Sequence, residues 1–307
     1  MKISIIGIGA IGGYIAAKLL NCKQYQIQLL VKPDSPLLAH EQFCVSGLTQ
    51  FTAPIDEIIS DFSQLDGDII FITTKSTSNT FVFDRVSHLQ GKIFIILQNG
   101  IGAETELAKR LNNSNAIVGA ISNVKLTKGH QLGQVILHSD FLNIVYATAY
   151  PALKSNVRNA LQLPTIFKHV FRDVHSVNSI YHVRFPKLMI NIACNAASII
   201  YNQTLYGLSQ DIPSQTMIGQ LSEEVRQVAL YYGVSIKPSM MVDIIASFNA
   251  PKYQDVYFSM KQDFDLGLPL EMQHIFYSFI ELATKANINV PATQHAITQL
   301  VSMLPLE

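Results

Sequence analysis

The first twenty residues constrain this chain more than any other stretch. Lys2 to Leu20 reads KISIIGIGAIGGYIAAKLL: an apolar run (Ile3, Ile5, Ile6), a glycine turn, then apolar residues at helical spacing (Ile11, Tyr14, Ile15, Leu19). A short apolar run bounded by turn residues fits a buried strand, and the spacing that follows fits a helix. The turn Gly7-Ile8-Gly9-Ala10-Ile11-Gly12 matches G-x-G-x-x-G. In that pattern the first glycine permits a tight turn and the second lets a pyrophosphate approach the backbone. The third lets helix and strand pack closely, and the helix N-terminus offers free N–H groups to phosphate. The motif alone is weak, but a strand before it and a helix after it are the context it needs. Gly7, Ile8, Gly9, Ala10, Ile11 and Gly12 are therefore the predicted dinucleotide-binding turn. The competing reading is a glycine-rich turn that binds nothing.

The 307 residues suffice for two domains. Hydrophobic residues make up 49% of the chain and charged ones 14%, which supports a large core under a modestly charged surface. Basic and acidic residues balance at 22 each, so no net field calls for nucleic acid or an anionic membrane. Cys22, Cys44 and Cys194 lack metal or redox spacing and fit a reducing cytoplasm. The start of the chain does not resemble a signal peptide, and no segment approaches the roughly 20 apolar residues of a membrane span. The histidines are dispersed, without a helical metal-binding pair, so no metal is expected. A cytoplasmic protein, monomer or homodimer, without nucleic-acid or membrane partners is the expectation.

Further along, Ile27–Val31 reads as a second parallel strand, followed by Lys32. NAD sites usually carry a carboxylate near this point for the ribose 2′-hydroxyl, whereas a cation suits the 2′-phosphate of NADP. A solvated surface lysine is the plainer alternative. Residues 43–54 read as extended pieces around Gly47, and Asp68–Thr73 as a buried strand. Lys75 leaves its carboxyl end, where open α/β sheets bind ligands. Position alone leaves a contact with phosphate or substrate and a solvated loop equally open. Residues 77–90 read as helix and Lys92–Leu97 as strand, ending in Gln98-Asn99-Gly100; Asn99 is either a turn residue or an amide beside the cofactor.

Glu104–Leu111 is predicted helical, and Ala116–Val124 extended. Gly133–Leu137 and Leu142–Tyr146 are expected to form an antiparallel pair at the sheet edge. Pro151–Leu163 is expected as helix and Thr165–Val170 as a last strand. The alternation stops there, giving domains at 1–173 and 174–307: an α/β Rossmann-like N-terminal domain and an all-α C-terminal domain. Helices are predicted over Ser179–Tyr201, Pro213–Tyr232, Pro238–Phe248, Tyr253–Phe264, Pro269–Ala286 and Pro291–Met303.

The first of these helices is apolar nearly all round, yet Lys187, Asn191 and Asn195 recur at intervals of four along it. At ~100° per residue all three share one side. Polar groups in an apolar helix must be paired. They either form an interhelical network or face a cavity holding a polar ligand. A desolvated lysine is also a usable proton donor, because burial lowers its pKa. Later, Ser259-Met260-Lys261-Gln262-Asp263 is a polar patch on a helix. Glu271 follows Pro269 closely enough to be an early helical residue favoured by the dipole.

Taken together, the chain resembles the ketopantoate reductase (2-dehydropantoate 2-reductase) family over nearly its whole length. The matching pieces are the glycine turn, Lys75, Gln98-Asn99-Gly100-Ile101-Gly102 and Gly133–His138. They continue with Lys187-x₃-Asn191-x₃-Asn195, Ser259-Met260-x-Gln262-Asp263, Glu271 and Val290-Pro291. The resemblance implies a Rossmann domain, a helical domain and a cleft between them, with NADPH reducing 2-dehydropantoate to pantoate for pantothenate and coenzyme A. It implies that Lys187 is the general acid and that Glu271 supports the catalytic site. Asn99, Asn191, Asn195 and Ser259 would meet substrate, and Lys32, Lys75 and Asn99 would lie beside NADP(H).

The chain departs from the family pattern at Phe185, where Trp is common, and at Val256, where Asn is common. It also departs at Tyr206, Gln273 and Tyr277. Loss of polar groups from a pocket alters the ligand it takes. Two alternatives follow: a related reductase of another small 2-oxo or β-hydroxy acid, and a low-turnover NADP-binding sensor.

Overall fold

The computed structural model describes residues 1–139, 141–151 and 161–304. The chain divides into two compact units: residues 1–98 with 103–183, and residues 99–102 with 184–307. Residues 174–183 thus group with the first unit, beyond the 173/174 boundary expected from the sequence. The strand Asp173–Ser176 accounts for this, since it pairs in parallel with the strand Asn143–Tyr150.

The first unit is built on strands β1 (Lys2–Ile6), β2 (Gln26–Leu30), β5 (Glu57–Ile59), β6 (Ile69–Ile72), β7 (Ile93–Leu97) and β8 (Ala116–Ser122). With β11 (Asn143–Tyr150) and β12 (Asp173–Ser176) they form one sheet in the order β12-β11-β8-β7-β6-β1-β2-β5. All pairs are parallel except β11 with β8. Period-two alternation buries both faces. Ile3, Ile5, Ile69, Phe71, Ile93 and Ile95 pack toward α1 (Ala10–Cys22) and the helix Leu163–Val170. Ile6, Ile70, Ile72, Phe94 and Ile96 pack toward α2 (Asn79–Val86) and α3 (Ala103–Ala108). Each fully buried side chain of this size contributes about 1.5–3 kcal/mol. This is the doubly wound arrangement expected of near-continuous apolar strands. The polar residues Ser4 and Gln28 are buried within it, and the Ser4 hydroxyl donates to Gln28 Oε1 at 2.8 Å.

A second sheet has the order β4-β3-β10-β9, from β3 (Gln42–Gly47), β4 (Phe51–Pro54), β9 (Leu126–Lys128) and β10 (Gln134–Leu137). The expected pairing of 133–137 with 142–146 is therefore incorrect. β10 runs parallel to β3, whereas β11 joins the main sheet against β8. Val135 and Leu137 of β10 pack in the core that includes α1, while Ile144 and Tyr146 of β11 extend the main sheet. The strand expected at Thr165–Val170 is a helix, Leu163–Val170. Leu163, Ile166, Phe167 and Val170 bury one helical face, and Pro164 occupies its first turn. Of the helix expected over 151–163, residues 152–160 lie outside the described residues.

The second unit is helical: Ile180–Ile200 from Arg184 onward, Leu205–Gln210, Ile212–Tyr231, Met240–Ser247, Ser259–Asp265, Ser278–Lys285 and Pro291–Ser302. The helix expected over 253–264 is interrupted. Phe258 is extended, at φ −64° and ψ 151°, and the Val256 carbonyl accepts from Leu205 N–H at 2.7 Å. The helices Ile212–Tyr231 and Pro291–Ser302 are tied by Glu224 of the former. Its carboxylate accepts from the N–H groups of Ala292 and Thr293 at 2.7 and 2.8 Å, and from the Thr293 hydroxyl at 2.7 Å. These are orphan donors of the first turn of Pro291–Ser302, supplied with a cap from another helix.

Candidate active site

The sheet order reverses direction at β1, between β2 and β6, so the switch point lies at the carboxyl ends of β1 and β6. The glycine turn leaves β1 there. Gly9 N–H donates to Gly7 O at 2.9 Å, and Gly7 has φ +97°. Thr73, just beyond β6, locks this corner: its hydroxyl lies 2.7 Å from Gly7 O and 3.1 Å from Ile6 O. A Cβ at Gly12 would stand 2.2 Å from Gly7 O and 2.4 Å from Thr73 Oγ1, so helix and strand approach as closely as the motif requires. A Cβ at Gly9 would meet nothing within 4 Å. The outward face of Gly9 is open, and α1 has no side-chain cap and no acid in its first turn. A backbone cradle of this kind, facing open space at an uncapped helix N-terminus, fits the phosphates of a dinucleotide. Ile8, Ala10 and Ile11 are partly exposed around it.

Lys32 is exposed just past β2, and its carbonyl accepts from Ser35 N–H at 3.0 Å. Lys75 is exposed past β6 at the same edge of the sheet. Asn99 leaves β7 and belongs, with residues 100–102, to the helical unit. Gly100 has φ +85°, and a Cβ there would be 2.4 Å from His274 O; Ile101 N–H donates to that carbonyl at 2.9 Å. The Asn-Gly step thus docks on the turn that begins just after Glu271, which explains the glycine.

The long helix Ile180–Ile200 carries Lys187, Asn191 and Asn195 as expected from their spacing. Pro186 lies inside it, so the His182 carbonyl lacks its usual intrahelical donor directly before Lys187. Lys187 keeps some exposure, yet the protein around it desolvates the ammonium and holds its pKa below the ordinary lysine value. Cys194, two turns on, partly offsets this. The same burial pushes the Cys194 thiol up to about 12, against the opposing effect of Lys187. Both asparagines are buried, but they differ. Asn195 donates to Asn191 O at 2.9 Å and accepts from Met260 N–H at 3.4 Å, tying the long helix to the start of Ser259–Asp265. The side-chain nitrogen of Asn191 is buried without a hydrogen-bond partner among the described residues. An unsatisfied buried amide costs about 1–3 kcal/mol and calls for a partner. Ser259, at the first position of its helix, is exposed.

Glu271 is buried at 8% exposure. It is not an early helical residue as the sequence suggested: regular helix begins at Met272, and the Glu271 carbonyl accepts from Ile275 N–H at 3.1 Å. Residues 268–270 have no regular secondary structure, so Pro269 precedes the helix instead of opening it. Gln273–Tyr277 then forms a π-type turn, a feature that recurs at functional sites. No residue pattern announces this turn. Among the described residues no group of three or more His, Cys, Asp or Glu could hold a metal ion. No helix among them is long and apolar enough to cross a membrane.

Residues 3–141 match the family described as "Ketopantoate reductase PanE/ApbA", and residues 179–304 match its C-terminal part. A 2-dehydropantoate 2-reductase from Nostoc sp. is 26% identical over 299 residues, covering 94% of this chain and 91% of the relative. Among solved structures, 2-dehydropantoate 2-reductase from Geobacter metallireducens aligns with a TM-score of 0.84 at 22% identity, over 98% of this chain and 99% of the other. D-mandelate dehydrogenase, in ternary complex with NADH and anilino(oxo)acetate, aligns with a TM-score of 0.78 at 18% identity, over 99% and 98%. With the family matched across both units, this chain belongs to the ketopantoate reductase family of oxidoreductases.

Proposed function

We propose that this chain reduces 2-dehydropantoate to pantoate with NADPH in the cytoplasm, as a step of pantothenate and coenzyme A biosynthesis. The observation that carries the reading is the unpartnered, buried amide of Asn191 one helical turn from Lys187. A closed interhelical network would satisfy that amide, whereas a ligand-binding face leaves it for the ligand. NADPH supplies, when bound, the hydride that adds to the keto carbon. The residues 7–12 hold its pyrophosphate on backbone N–H groups. Lys32 neutralises the 2′-phosphate, and Lys75 and Asn99 lie along the cofactor. Lys187 gives a proton to the ketone oxygen as charge develops there; its lowered pKa makes it a better donor than a solvated lysine. Asn191 and Ser259 donate to the substrate's polar groups, Asn195 holds their two helices together, and Glu271 supports the catalytic site. The first unit carries the cofactor residues except Asn99, and the second unit the proton donor and substrate residues.

A second reading, reduction of another 2-oxo acid, is favoured by Gln273 and Tyr277, which are exposed on the helix that follows Glu271 and replace smaller polar family residues. Phe185 carries no such weight: it is fully buried and stacks on Tyr232 at 5.8 Å, so that departure repacks the core. NADPH consumption with 2-dehydropantoate and a panel of 2-oxo acids tests both readings. A preference of tenfold or more in kcat/KM for 2-dehydropantoate supports the first. A clear preference for another acid supports the second. Tight NADPH binding without turnover of any acid supports a sensor.

A further inference from the structure

The first unit contains a cavity of about 360 Å3 with two unlike walls. One wall is Gly9 and Gly13 at the start of α1, with Phe43 and Leu37 beside it. The other is the loop from Lys128 to Gln134 that joins β9 to β10 in the second sheet. Among the described residues lining the cavity none is acidic, and both Lys128 and His130 line it.

The loop is fixed before any ligand arrives. Gly129 N–H donates to Gln134 O at 2.9 Å, Gln134 N–H to Gln131 O at 3.1 Å, and Cys44 N–H to Gly133 O at 3.0 Å. The Gln134 side chain donates to Ser46 Oγ at 3.2 Å. Gly133 has φ +70°, and a Cβ there would stand 2.4 Å from His40 Nε2, so the loop sits directly on its neighbour. On the opposite wall α1 also docks closely: a Cβ at Gly13 would meet Val135 Cγ2 at 3.0 Å. Two sources of positive charge therefore border one cavity: the uncapped N-terminus of α1 and the residue Lys128.

We propose that the Lys128–Gln134 loop is part of the dinucleotide site, with Lys128 supplying a cation to the pyrophosphate held on the glycine turn. The inference rests on the dinucleotide reading of that turn. It assigns the second sheet a role in binding beyond covering α1. The pyrophosphate is preferred over the 2′-phosphate because Gly9, the residue a pyrophosphate approaches, shares this cavity with Lys128. An exposed cation of this kind contributes a modest factor, and reversal of its charge contributes more.

The test is the Kd of NADPH and of NADH, by fluorescence titration at low salt, for wild type, Lys128→Ala and Lys128→Glu, with thermal unfolding as the control for folding. We expect Kd to rise about threefold in the alanine variant and about tenfold in the glutamate variant, for both dinucleotides alike. The salt dependence of binding should weaken in both variants. An effect confined to NADPH would overturn the pyrophosphate assignment and move Lys128 to the 2′-phosphate. Unchanged Kd values in folded variants would make the lysine a solvated surface group. Wild type that binds neither dinucleotide would instead defeat the underlying reading of the glycine turn.

Discussion

Gly9 and Gly12 belong to one motif, yet alanine at each should do opposite things. At Gly12 the new Cβ would lie 2.2 Å from a backbone oxygen and 2.4 Å from the Thr73 hydroxyl that fixes the corner. Neither neighbour is the free end of a flexible side chain, so α1 must move away from β1 by about 1 Å, and overpacking of this sort costs about 1–3 kcal/mol. Tyr14, Ile15, Ala17 and Leu19 of α1 are buried against the sheet and lose contact as it moves, so the upper end, about 3 kcal/mol, is expected. Thermal unfolding should show a fall in Tm of roughly 6–12 °C. At Gly9 the backbone, φ −88° and ψ −161°, suits any residue and the Cβ position is open. Gly9→Ala should therefore fold normally and be stabilised by about 0.4–1 kcal/mol through the unfolded chain. Its methyl group nevertheless occupies the path of a pyrophosphate, so NADPH should bind at least about tenfold more weakly. A Gly9→Ala protein that binds NADPH as wild type does would refute the cradle, and a Gly12→Ala protein of unchanged Tm would refute the packing argument.

Three further outcomes follow from the geometry. Lys32→Ala should reduce the preference for NADPH over NADH by roughly tenfold to a hundredfold, the worth of a charge-assisted contact of about 1.5–3 kcal/mol; parallel kinetics with the two cofactors measure it. Asn191→Ala should raise KM for the keto acid with Tm held or increased, since it removes an unsatisfied group, whereas Asn195→Ala should lower Tm because it cuts the tie to Met260; steady-state kinetics and calorimetry separate them. Glu224→Ala should cost about 3–5 kcal/mol in urea unfolding, because two N–H groups and a hydroxyl lose their carboxylate, and Glu224→Gln should cost less.

The sequence discloses the parts of this fold in which one local pattern has one meaning. The glycine turn, the apolar strands β1, β6 and β7, and the helix carrying Lys187 could each be read from a short window, because burial on both sides leaves an apolar signature. Leu163–Val170 could not. Its β-branched and aromatic residues favour a strand, but four of its apolar side chains share a helical face that packs on the sheet. The partner of β10 was equally hidden, since β3 lies about ninety residues earlier and pairing leaves no mark on either strand. In the site, the spacing of Lys187, Asn191 and Asn195 gave their shared face but not their roles. Asn195 is satisfied by a backbone N–H from another helix, and only three-dimensional contacts distinguish it from Asn191. The π-type turn after Glu271 has no local signature, and the Gly100 approach to His274 joins residues far apart in the chain.

The central claim is that Lys187 delivers the proton, and its most direct test is the pH dependence of kcat with saturating NADPH and the best keto acid, for wild type and Lys187→Ala. Burial lowers the Lys187 pKa, so the ammonium is lost at lower pH than for a solvated lysine. Wild-type kcat should fall as pH rises through that lowered value. The same shift means that the folded protein binds fewer protons than the unfolded one between the lowered pKa and 10.5, so this group makes stability rise with pH across that window. Lys187→Ala should lose about 10²–10⁴ in kcat, lack the alkaline limb and still bind NADPH. Lys187→Arg should not restore activity, because a guanidinium keeps its proton. A Lys187→Ala enzyme with near-normal kcat and the wild-type alkaline limb would contradict the assignment.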